Sequence, residues 1–164
     1  RSMSFGEDHN YYHKQIGFNY RCTNSQAEMA LDSLNAAEFN IVKRNIISKR
    51  FMELISKKYH MPNNREADWV FDMKHKNADT VVKILKDKKI QARHSFKPLS
   101  LQPLFRPLWA SDDYDKHQLT TVGKKAKFMS DNVFYVNIDP NYSIQDIEKI
   151  GEVVNEVLHD CDNI

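Results

Sequence analysis

Glycine, cysteine and long apolar runs are all scarce in this chain of 164 residues, and each scarcity removes a class of protein. The four glycines, Gly6, Gly17, Gly123 and Gly151, are never adjacent, and the sequence holds neither a glycine-rich phosphate loop nor a nucleophile elbow. Two cysteines, Cys22 and Cys161, lie far apart and outside any Cys-x-x-Cys arrangement, which excludes a disulfide framework and a zinc site and fits a reducing, cytoplasmic setting. No apolar run approaches the roughly 20 residues that cross a bilayer, and the polar N-terminus lacks the apolar centre of a signal peptide, so a soluble protein with no membrane partner is expected. Charge of one sign is also missing. The 24 basic and 22 acidic side chains leave a net charge of +2, too small a surplus for a nucleic-acid surface. The lysine runs at 86–89 and 124–127 read as solvated surface. With 41% hydrophobic and 28% charged residues, the chain has the makings of one folded domain with a real core.

Residues 1–21 show neither helical nor strand periodicity and read as a long loop, a length uncommon in a compact domain unless it is functional or packs on something outside the chain. Thr23 and Gln26 have the spacing of a capping box, so a helix begins there. Ala27, Ala30, Leu31 and Leu34 give it an apolar face. After a break near Ala36 the pattern resumes with Ile47, Phe51, Leu54 and Ile55 and ends before Pro62. From Asp68 the period changes to two, with Trp69, Phe71 and Met73 on one side of a strand. A helix capped by Asn77 or Asp79 follows, carrying Val81, Val82 and Leu85. Ile90, Ala92, His94 and Phe96 then alternate, completing a β-α-β unit with a parallel pairing expected between its strands. Pro98, Pro103 and Pro107 make residues 97–127 a loop. Val133 to Ile138 form a third strand, and Ser143 caps a last helix with Ile147, Ile150, Val154, Val157 and Leu158 on one face. The expected organisation is a loop and long helix over residues 1–60, followed by a small α/β domain over residues 61–164.

The chemistry concentrates in His13-Lys14-Gln15-Ile16-Gly17-Phe18-Asn19-Tyr20-Arg21-Cys22-Thr23-Asn24-Ser25-Gln26-Ala27. It sets an amide, a phenol and a guanidinium just before a helix start, where free N–H groups and the helix dipole favour anions. Arg21 can grip phosphate oxygens in bidentate fashion and Asn19 can donate from its amide. By spacing alone Asn19 and Arg21 read more readily as residues that merely tie down a loop.

This run resembles the signature of the DegT/DnrJ-type sugar aminotransferases: a histidine, then Gly-aromatic-Asn-Tyr-Arg-Met-Thr-Asn, then Gln-Ala-Ala on a helix. The likeness continues through Lys43-Arg44, the strand at Trp69, Ile90-Gln91-Ala92-Arg93, the loop from Phe96-Lys97-Pro98-Leu99 to Gln102-Pro103, and a closing strand and helix. The resemblance implies the C-terminal α/β domain of a fold type I aminotransferase, preceded by a loop and long helix from the large domain. It implies a homodimer with composite active sites, pyridoxal phosphate as cofactor, and amino transfer from glutamate to a nucleotide-linked keto-sugar. By the same resemblance Asn19 contacts the cofactor phosphate in the second subunit. Tyr20 and Arg21, and with them His13, line the phosphate and nucleotide-sugar end of the pocket.

The chain departs from the family pattern in several places. Cys22 stands for the family's methionine and Glu28 for its second alanine. Phe96-Lys97-Pro98-Leu99-Ser100 stands for Tyr-Pro-Pro-Leu-His. Cys22 reads as a packing residue, since no base is implied beside it. Transamination needs a lysine that joins the cofactor as a Schiff base, followed in the family by a glycine-rich stretch. Lys14 is the sole lysine before the Asn-Tyr-Arg run and lacks that context, so the chain is expected to be a fragment, inactive alone. A second reading is a non-catalytic dimerisation module that binds a phosphorylated ligand. No metal is implied by the seven scattered histidines, and His94 reads as a core residue. Asp112, Asp113 and Asp115 read as solvated loop.

Overall fold

The computed structural model describes residues 13, 21–62, 65–99, 102–103 and 121–164, and the expected loop over residues 1–21 falls mostly outside them. The chain divides into two compact units, Arg1–Asn19 with His94–Val133, and Tyr20–Arg93 with Phe134–Ile164. None of the helices among the described residues is long and apolar enough to cross a membrane.

The second unit opens with helix α1 (Asn24–Asn35). The Thr23 hydroxyl accepts from the Gln26 N–H at 3.3 Å and the Gln26 side chain accepts from the Thr23 N–H at 2.9 Å, the reciprocal cap that the spacing implied. Helix α2 (Ala37–Leu54) follows across a break at Ala36. Its Ile47 and Phe51, with Ile55 just beyond, are buried, whereas Phe39, Val42 and Ile46 are exposed. A short 3-10 turn (Lys57–Tyr59) leads to β1 (Val70–Lys74), where Phe71 and Met73 enter the core as their alternation requires. Trp69 does not join them. It is exposed, with its ring 5.7 Å from that of Tyr135. Helix α3 (Ala78–Asp87) buries Val81, Val82 and Leu85, and β2 is only Ala92–His94. Of the alternating set there, Ala92 alone is buried; Phe96 is exposed and His94 half-buried.

Two expectations are corrected. Residues 97–127 are not all loop, because α4 (Thr121–Asn132) begins within them. The three prolines that break the chain stop at Pro107, and nothing after it prevents a helix. The expected parallel pairing of β1 with β2 is also absent. β3 (Val133–Asn137) lies between them, in the order β1-β3-β2. The Ser95 N–H donates to the Val133 carbonyl at 2.9 Å and the Asn137 N–H to the Gln91 carbonyl at 3.2 Å, so β2 and β3 run in opposite directions in a small antiparallel sheet. β1 and β2 belong to a split β-α-β in which the late strand takes the centre. Its composition explains the place: Val133, Phe134, Tyr135 and Val136 are buried in succession, as only a strand covered on both faces can be.

Helix α5 (Ile144–Asp162) starts at a second capping box between Ser143 and Asp146 and packs against α2 and α3. Ile147, Val154, Val157, Leu158 and Cys161 form its buried face. The α2–α5 crossing is close at Gly151, where a methyl group would lie 2.5 Å from Leu54 Cδ1 and 3.0 Å from Leu54 Cβ.

The far end of α5 is held by a polar cluster. The Lys58 ammonium and the Tyr59 hydroxyl donate to Asp162 Oδ2 at 2.5 and 2.6 Å. His75, whose side chain is 1% exposed, places Nε2 3.0 Å from Asp162 Oδ1. Its Nδ1 accepts the Asn77 N–H at 2.9 Å, which leaves Nε2 as the ring donor facing the carboxylate. Lys58 and Tyr59 hold the Asp162 carboxyl well below the usual carboxylate range.

Gly151→Ala gains roughly 1 kcal/mol of helix propensity but overfills the Leu54 contact, which typically costs about 1–3 kcal/mol. A lower urea midpoint is therefore expected, and an unchanged or raised midpoint would show that the helices part freely. Because the folded Asp162 titrates below its unfolded value, its contribution is complete above about pH 5 and disappears as the pH falls through the folded value. The stability gap between the wild type and Asp162→Asn, read from urea midpoints, should narrow as the pH is taken from 6 toward 2; a constant gap would refute the assignment.

Candidate functional site

The chain entering α1 has the character of an anion site. Arg21 is exposed and holds φ at 62°, the left-handed region, at a cost of about 1 kcal/mol for a residue with a side chain. Such strain in a bulky residue marks a conformation imposed by its surroundings and directs attention to function. Two residues later the capping box occupies the N–H groups of Thr23 and Gln26, and the first turn of α1 carries no acidic side chain to neutralise the positive end of the helix. From His13 through Ala27 the sequence contains no carboxylate at all. Cationic, amide and hydroxyl side chains therefore follow one another in sequence with no carboxylate between them. Cys22, expected to pack, is instead exposed.

His13 belongs to the other compact unit. Its backbone N–H donates to Gln102 Oε1 at 2.8 Å, across 89 residues of sequence. Gln102 is 4% exposed. Its own N–H bonds the Leu99 carbonyl at 3.0 Å, and its Nε2 lies 3.5 Å from the Lys97 carbonyl. Lys97 in turn extends its ammonium to the Ser130 carbonyl at 3.2 Å, in the last turn of α4, where the helix dipole favours a cation. The segment at 96–103, which sequence reading marked only as similar to a family loop, is thus what secures His13. Gln102 escaped notice as a functional residue. The available signal was a lone amide among Leu99, Leu101 and Leu104, beside Pro103.

The structure describes His13 and Arg21; Asn19, Tyr20, Asp112, Asp113 and Asp115 lie outside the described residues. Lys124, Lys125 and Lys127 are exposed on α4, in keeping with solvated surface. The apolar face expected of α1 is present but uncovered: Leu31 and Leu34 are exposed, and the helix buries no residue at all. Isolated helices of this length are marginal in water without packing of an apolar face.

Comparison with solved structures shows where this fold recurs. The PMP form of Spr1654 from Streptococcus pneumoniae superposes with a TM-score of 0.72 at 16% identity, over 87% of this chain and 37% of that one. DesV from S. venezuelae, solved in complex with a ketimine intermediate, gives a TM-score of 0.67 at 16% identity, over 95% and 42%. Helicobacter pylori PseC, an aminotransferase of pseudoaminic acid biosynthesis, gives 0.63 at 16%, over 90% and 40%. The chain spans about two fifths of the length of these structures. No curated protein sequence matches it. The family model of the DegT/DnrJ/EryC1/StrS aminotransferases matches residues 1–155, nearly the whole chain, and the fold agrees with it. This chain belongs to the DegT/DnrJ/EryC1/StrS aminotransferase family.

Proposed function

We propose that the chain is the C-terminal part of a pyridoxal-phosphate-dependent enzyme of the cytoplasm that moves an amino group from glutamate to a nucleotide-linked keto-sugar. Residues 1–60 belong, on this reading, to the end of the cofactor domain, and residues 61–164 form the small domain beside the substrate cleft. The observation that carries the reading is the carboxylate-free, cationic entry to α1, with Arg21 held exposed in a left-handed backbone conformation. That donor set fits a phosphate group.

Each residue then has a task. Asn19 donates to the cofactor phosphate of the partner subunit, and Arg21 neutralises phosphate charge with its planar fork of donors. Tyr20 and His13 line the nucleotide-sugar end. Pyridoxal phosphate, when bound, supplies the electron sink for amino transfer, and its covalent lysine comes from outside this chain. The uncovered apolar faces of α1 and of the first half of α2 are closed by the large domain and the second subunit in the same assembly. That arrangement makes the chain inactive alone.

The test uses full-length protein. Pyridoxal phosphate should produce a coenzyme absorption band, and Arg21→Ala should weaken binding of the phosphorylated ligand by roughly tenfold to a hundredfold, the worth of a charged hydrogen bond. A full-length protein that never develops the band with added pyridoxal phosphate sinks the reading.

A further inference from the structure

Gln102 is one of the buried polar side chains among the described residues, and its carboxamide is not needed to fill the space it occupies. A carboxamide at 4% exposure carries a desolvation cost unless its bonds are made, and a leucine of similar size would fill the same space without that cost. Its Oε1 spends its hydrogen bond on the main chain of His13, 89 residues earlier, while its Nε2 lies toward the main chain at Lys97. A side chain can brace its own loop through near neighbours. Reaching a distant backbone N–H instead fixes one segment relative to another, and the fixed segment here begins the cationic run.

We infer that Gln102 is a positioning residue: its buried carboxamide pins the backbone of His13, so that the His13 imidazole is held ready for the diphosphate of a nucleotide-bearing substrate. This rests on the reading of the His13 to Arg21 run as a phosphate and nucleotide site. The anchor extends further than one bond. Lys97, bonded through its carbonyl to Gln102, is itself tied through its ammonium to the last turn of α4 at Ser130, so His13 is referenced to a helix rather than to a loose loop. An imidazole held by a fixed backbone loses less conformational freedom on meeting its ligand, which is how a residue that never touches substrate changes affinity.

Two substitutions separate positioning from simple packing. Gln102→Leu keeps volume and removes the acceptor; Gln102→Glu keeps an acceptor for the His13 N–H and removes the amide donor. In the 164-residue chain, amide exchange followed by NMR should show His13 protected in the wild type and in Gln102→Glu, and exchanging about tenfold faster in Gln102→Leu, the effect of one lost buried hydrogen bond. Uridine 5′-diphosphate is the binding probe, followed through the His13 ring resonances. The wild type and Gln102→Glu should respond alike, with the Gln102→Leu midpoint displaced about tenfold to weaker binding.

Three results overturn the inference: equal His13 exchange in wild type and Gln102→Leu, no response of the His13 ring to the probe in the wild type, or a loss of protection spread evenly over α5 and β1, which marks a merely structural residue. The outcome is separable from that of the proposed function. A full-length protein without the coenzyme band, whose His13 still responds to the diphosphate through Gln102, retains the anchor and loses only the aminotransferase chemistry.

Discussion

The crossing of α2 and α5 is the contact on which the second unit depends. Leu54 sits where Gly151 leaves no side chain, and this closeness lets Phe51 and Ile47 meet Val154 and Leu158 in one continuous core. Each large apolar side chain removed from water there contributes on the order of 1.5–3 kcal/mol, far more than any single polar contact at the surface. The crossing also gives α2 two different fates along its length. Its C-terminal half is core, whereas its N-terminal half, with α1 before it, leaves the packed region with its apolar side chains uncovered.

The polar cluster at Asp162 works alongside this packing. α5 is long, and its last turn has few apolar contacts to offer beyond Leu158 and Cys161. Lys58, Tyr59 and His75 supply three donors to one carboxylate, from the 3-10 turn and from the end of β1, so the helix terminus is registered against both. The Asn77 N–H on the other ring nitrogen of His75 orients the imidazole toward Asp162, so the cluster is a directed set of hydrogen bonds around one carboxylate. None of these residues belongs to the cationic run. They stabilise the scaffold.

Two different physical devices operate at the two ends of the run from His13 to Arg21. At Arg21 the backbone is strained and the side chain exposed, with a capped helix start two residues on. At His13 the backbone is satisfied by a buried amide from far along the chain. The first suits a group that must reach outward to an anion. The second suits a group that must stay in place. Their coexistence within nine residues is consistent with membership of a family whose solved members are more than twice as long as this chain.

What the residues determined by themselves was local. Thr23 with Gln26 and Ser143 with Asp146 set the starts of α1 and α5, each cap being made within four residues, whereas Asn77 at the start of α3 gives its amide to the distant Cys161 carbonyl and makes no cap. The apolar spacing of Ile47, Phe51 and Ile55, and of Val154, Val157 and Leu158, likewise announced which faces would be buried. The family motif from His13 to Ala27 was readable because its chemistry is contiguous. Tertiary structure alone decided the rest. Strand order followed from which strand was apolar on both faces, a comparison between segments some forty to sixty residues apart, and so β3 displaced the expected β1–β2 pairing. Trp69 stayed outside although its alternation pointed inward, since burial depends on what covers a strand and not on its period. Gln102 acquired its role only when folding brought it to His13, for a hydrogen bond across 89 residues leaves no periodicity to read.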